Sequence, residues 1–147
     1  MKSSRIIDHT ADVRLLIEGD SPEELFLAGM EGMAGIIKKD VLSADRAGLN
    51  TLTKKDPDFK DTVKISSSNM TMLLIDFLSE VLTWSHINKA VYTKAEFKKL
   101  NENSIEATIF GYKAHYFDED IKAVTYHEAE IKKNRKGNYE TIIIFDI

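Results

Sequence analysis

Apolar positions along this 147-residue chain change period from two to about 3.6 and back, and each change marks an element. Arg5-Ile6-Ile7-Asp8-His9 and Val13-Arg14-Leu15-Leu16-Ile17 read as two short strands, with polar Thr10-Ala11-Asp12 between them. A helix start follows. Ser21 is a natural N-cap, Pro22 suits the first helical position, and Glu24 completes a capping box. Leu25, Phe26, Gly29, Met30, Met33 and Ile37 then fall on one stripe, and Lys38-Lys39 close it with charge suited to the helix dipole. Residues 40–58 carry no periodicity and read as a long loop. Phe59 to Ser67 returns to strand, with Val63 and Ile65 on one face. A second helix opens at Ser68-Asn69, both acceptable caps. Its stripe of Leu73, Leu74, Phe77, Leu78, Val81 and Leu82 is the strongest helical signal, and Trp84 and Ile87 extend it by a turn. Trp84 reads as a core anchor.

The last third is all strand. Val91, Thr93, Ala95 and Phe97 alternate with polar neighbours. After the turn at Asn101-Glu102-Asn103 come Ile105, Ala107 and Ile109, with Gly111 as a bulge. Ile121 to Lys132 alternates again, and Asn134 to Asn138 joins it as a hairpin to a terminal strand, Thr141 to Ile147. Strands in runs with two segregated helices indicate an α+β class: a two-layer single domain over residues 1–147, two main helices packed on largely antiparallel β-sheet.

Composition narrows the chemistry. Without cysteine there are no disulfides, thiolate metal sites or thiol nucleophiles. No apolar run approaches the roughly 20 residues of a membrane span, nor is there a secretory leader, so the expected location is the cytoplasm. The net charge of −4 does not suit a protein that grips RNA unaided. The basic cluster Lys132-Lys133-Asn134-Arg135-Lys136 falls on the hairpin turn and reads as solvated, as does the acidic run Asp118-Glu119-Asp120. Four histidines are scattered without metal-ligand spacing, and no Gly-rich phosphate loop, GxSxG or HExxH is present.

Three segments remain as candidates. Asp8, Thr10 and Asp12 share one face of an extended segment, and the two aspartates are hard oxygen donors; a turn with Asx-type backbone hydrogen bonds is the plainer reading of them. In Ile121-Lys122-Ala123-Val124-Thr125-Tyr126-His127, strand alternation places His127 on the mostly apolar side, where a hydrogen-bonded, half-buried histidine is the plain expectation; Lys122 reads as a solvated charge. In the terminal strand Asp146 is a single carboxylate on an apolar run. It is a poor acid or base alone, and a good cation ligand where a second carboxylate and backbone oxygens converge.

Together these segments resemble the archease family. His9-Thr10-Ala11-Asp12-Val13 is similar to its N-terminal signature, Ile121 to His127 to its internal motif, and Phe145-Asp146-Ile147 to its ending. The helices beginning Ser21-Pro22-Glu23-Glu24 and running through Leu74-Ile75-Asp76-Phe77-Leu78 fall in family order, so the resemblance spans the chain. Archeases are accessory proteins of the RtcB-type RNA ligase of transfer-RNA splicing. They promote guanylylation of the ligase histidine and its repeated turnover without being ligases. The resemblance therefore implies a non-catalytic activator and a calcium site on Asp12, Asp146 and Ile147, the last through backbone or terminal carboxylate oxygen. Lys122, His127 and His9 are implied as partner-facing or supporting residues. The chain departs from the pattern at Arg14, where glycine is usual, at Asn69 for aspartate and at Tyr139 for tryptophan; the stretch before Ile121 is short and lacks a histidine. The alternative function is a chaperone-like modulator of another RNA-processing enzyme, such as a transfer-RNA methyltransferase. A metal-dependent hydrolase is a third reading, disfavoured because no base stands beside the carboxylates.

Overall fold

The computed structural model describes residues 1–9, 12–41 and 56–147. Most of the expected 40–58 loop therefore lies outside the described residues. The chain runs β1 (Ser3–His9), β2 (Asp12–Gly19), α1 (Pro22–Ile37), β3 (Phe59–Ser66), α2 (Met70–Asn88), β4 (Ala90–Leu100), β5 (Ser104–Lys113), β6 (Ala123–Thr125), β7 (Lys132–Lys133) and β8 (Tyr139–Asp146). The class is α+β, with two helices on antiparallel sheet. The strands divide between two sheets: five strands in the order β1-β2-β8-β6 with β7 also on β8, and three in the order β3-β5-β4.

Both helices start where the capping residues put them. The Ser21 hydroxyl accepts the Glu24 N–H at 3.2 Å, and the Asn69 side chain accepts from Met72 N–H at 2.9 Å. Glu24 reaches back to the Asp20 N–H, one residue before the expected capping-box partner. At the far end of α1, Lys38 is the cap and not a last-turn residue. Its ammonium pairs with Asp40 at 3.1 Å and lies 4.1 Å above the Tyr116 ring. Asp118, expected to be merely solvated, accepts the Lys39 N–H at 2.7 Å and ties this end to the segment before β6.

α1 packs on both β2 and β4, which joins the two sheets through one core. Val13, Leu15 and Ile17 of β2 and Ile143 and Phe145 of β8 point into it, together with the apolar stripes of both helices. Alternation then sends Asp12, Arg14 and Leu16, and Ile142, Ile144 and Asp146, to the outer face of the five-stranded sheet. The stripe of α2 ends one turn sooner than expected: Trp84 packs half-buried on the core, whereas Ile87 is 63% exposed.

The expected bulge at Gly111 sits on the opposite strand. Tyr92 and Lys94 oppose consecutive residues of β5, so Thr93 of β4 is the extra one. Gly111 instead makes room for Tyr92. A Cβ there would lie 2.8 Å from the ring, and the ring cannot swing away, since its hydroxyl donates to Asp61 at 2.5 Å and accepts from Asn88 at 2.7 Å. Burial and the Asp61 carboxylate push this phenol well above its usual range, so it stays a donor. Gly111→Ala should cost about 1–3 kcal/mol of unfolding free energy in a urea titration, the usual cost of forcing atoms into a filled site. A neutral result would mean that the Tyr92 anchor gives way freely.

Candidate metal centre

β2 and β8 pair in register from Asp12 opposite Asp146 to Gly19 opposite Tyr139. Asp12 and Asp146, 134 positions apart in sequence, are thus direct cross-strand neighbours on the outer sheet face, which puts their Cβ atoms about 4.5–5.5 Å apart. Neither side chain has a hydrogen-bond or ion-pair partner among the described residues. Two like charges directly opposite each other destabilise a ladder unless a cation lies between them. On the other side of β8, Ala123 of β6 opposes Asp146, and the Lys122 N–H donates to the Asp146 carbonyl at 2.7 Å. The third expected ligand, Ile147, follows Asp146 and packs half-buried on the core, so only its main-chain oxygen is offered.

The two facing carboxylates are hard oxygen donors of the kind a divalent cation such as calcium takes, with water and main-chain oxygen to complete its shell. Among the described residues no group of three or more histidine, cysteine, aspartate or glutamate side chains converges. His9 ends β1 with its main chain opposite Val13, and the expectation attached to its side chain, like that for Thr10 and for Asp8 as a ligand, lies outside the described residues.

The internal motif departs from the uniform strand expected over Ile121–Lys132. β6 lasts only three residues, Ala123 to Thr125. The chain then turns, with Ala129 N–H bonded to Tyr126 O at 3.2 Å and Glu128 at φ +60°, a left-handed conformation uncommon outside glycine, asparagine and aspartate. His127 is therefore not the half-buried residue alternation suggests: its side chain is 77% exposed, with Nε2 3.8 Å from a Glu128 oxygen. The signal for this break was present in Tyr126-His127-Glu128-Ala129-Glu130, where glutamate and alanine are poor strand formers. Lys122 is exposed, as expected.

Other contacts carry no local sequence signal. The Tyr126 hydroxyl donates to Asp76 of α2, whose second oxygen accepts the Ser67 hydroxyl at 2.6 Å. The Asp76 carboxylate holds the Tyr126 phenol above its usual range. His86, near the end of α2, holds the Ile121 carbonyl at 2.9 Å. Arg14 reaches Glu128 at 2.7 Å across the face of β8. The start and the turn of the internal motif are thus fastened to α2, and the turn also to β2.

Comparison with known proteins bears on the fold and the family. The model of the "Archease protein family (MTH1598/TM1083)" matches residues 5–147. The protein archease of Pyrococcus abyssi is 30% identical over 100% of both chains, and that of Methanosarcina mazei 29% identical over 99% of this chain and 97% of its own. In structure, the chain is similar to protein 1598 of Methanobacterium thermoautotrophicum, with a TM-score of 0.71 and 22% identity over 98% of both chains. It is also similar to an archease, possible chaperone, of Thermotoga maritima, with a TM-score of 0.63 and 18% identity over 97% of this chain and 96% of that one. Sharing a family model over nearly its whole length, this chain belongs to the archease family.

Proposed function

We propose that this protein acts in the cytoplasm as a non-catalytic activator of an RtcB-type RNA ligase in transfer-RNA splicing. It promotes guanylylation of the ligase and its multiple turnover, and holds a divalent cation, calcium, through Asp12, Asp146 and Ile147. The observation that carries the metal part is the direct cross-strand pairing of Asp12 with Asp146 on the outer sheet face. A bound cation supplies the positive charge that relieves their repulsion. Around it, the Lys122 N–H fixes the Asp146 main chain, the β6 pairing sets the strand, and exposed Lys122, Tyr126 and His127 present a polar surface to a partner. Among the described residues, none on this face pairs a nucleophile with a base, which favours a role through contact over one through chemistry.

The test is guanylylation of cognate ligase by GTP with and without this protein. Added protein should raise both the guanylylated fraction and the number of turnovers, and the rise should vanish with Asp12→Ala. An unchanged ligase would end the proposal. Asp12→Ala with full stimulation would remove the cation from it. The alternative, a chaperone-like modulator of another RNA-processing enzyme such as a transfer-RNA methyltransferase, draws on the description of the Thermotoga relative as a possible chaperone. A pull-down that recovered a methyltransferase and no ligase would favour it.

A further inference from the structure

Arg14 stands two residues after Asp12 on β2, and strand geometry puts both side chains on the same outer face, about 6.5–7 Å apart along the strand. Its partner on β8 is Ile144, two residues before Asp146. A guanidinium is a permanent cation whose fork matches a carboxylate, and its side chain is long enough to reach either aspartate from this position. It is instead turned the other way. Arg14 donates to Glu128 Oε1 at 2.7 Å, across a row holding Ile144 and Thr125. The acceptor is held there: Glu128 occupies a left-handed turn, and Tyr126, two residues before it, is tied to Asp76. Ile144 is only 3% exposed although it lies on the face away from the helices, as expected if the stem of Arg14 covers it.

We infer that Glu128 is a tether that keeps the Arg14 guanidinium off the Asp12 and Asp146 carboxylates, and that this ion pair sets the affinity of the site for a divalent cation. The inference rests on reading Asp12 and Asp146 as the ligands. Released from Glu128, Arg14 becomes an internal competitor for the same two carboxylates. Held by Glu128, its charge is compensated and the site stays open. Arg14 and Glu128 are thus positioning residues for the cation and not ligands.

The test is calcium titration by calorimetry of the wild type, Glu128→Gln, Arg14→Met and the double variant, with circular dichroism to check folding. Arg14→Met keeps the apolar stem over Ile144. Glu128→Gln should weaken calcium binding roughly tenfold, the scale expected of one unit charge moved next to a divalent ion at a solvated surface. Arg14→Met should bind at least as tightly as wild type. In the Arg14→Met background the glutamine substitution should lose most of its effect. If Glu128 acted only as a distant negative charge, it would weaken binding equally in both backgrounds, and that result overturns the tether. Equal affinities in all four proteins overturn the tether and leave the site intact. No calcium binding by any of them overturns the metal reading and the tether with it. Weakened binding in Glu128→Gln, restored in the double variant, establishes the tether.

Discussion

Asp146→Asn should abolish the response of this protein to calcium while leaving it at least as stable as the wild type in EDTA. The two halves of that result have one cause. Without a cation, Asp12 and Asp146 are like charges placed directly opposite each other, and removing one charge relieves a repulsion of about 0.2–1 kcal/mol. With a cation, the same two charges are the attraction. A ligand at roughly a hundredfold excess over its Kd adds about 2.7 kcal/mol to the folded state. For a chain of this length that is a rise in Tm of roughly 5–10 °C. Thermal melts of wild type and variant, each in calcium and in EDTA, give the four values needed. The order of stability should invert between the two buffers. A calcium-dependent rise of equal size in both proteins would place the ion elsewhere.

Phe77→Ala should cost about 3–5 kcal/mol of unfolding free energy. Phe77 of α2 is fully buried. Its ring centroid is 5.7 Å from that of Phe26 in α1 and 6.1 Å from that of Phe97 in β4, both tilted. The ring is therefore the point where the two helices and the three-stranded sheet meet. Truncation leaves a cavity whose walls belong to separate elements, which collapse poorly. Urea denaturation should show a lower midpoint with an unchanged slope, and Phe77→Leu should recover most of the loss. A cost below about 1 kcal/mol would mean that the contact is loosely packed.

The helices were legible because each element states its own terms. Ser21-Pro22 and Asn69 mark the starts, and the stripes from Leu25 to Ile37 and Leu73 to Leu82 name the buried faces. The class followed from the order of the elements. The division of the strands into two sheets did not, because pairing between β2 and β8 is decided by docking and leaves no trace in local alternation. The candidate site shows the same split. Asp12 and Asp146 could be singled out as oxygen donors from their segments, and their opposition is a matter of register. Ile121–Lys132 reads as one strand because Ile121, Ala123, Thr125, Ala129 and Ile131 keep a period of two straight through the turn at Glu128. Only the low strand preference of Glu128-Ala129-Glu130 argued against it. Arg14–Glu128 and Tyr126–Asp76 join residues 114 and 50 positions apart, and long-range pairs of that kind have no sequence period at all.

β8 is the last strand of the chain yet lies in the interior of its sheet, between β2 and β6. During synthesis, β2 leaves the ribosome more than a hundred residues before β8 does, so it waits with an unsatisfied inner edge. Contacts of such high sequence separation slow folding, and they make the closing of this sheet a late event. Asp12 and Asp146 meet only when it closes. A cation held by both would thus bind molecules in which this sheet has closed and pass over those in which it has not, and its uptake would register the closure.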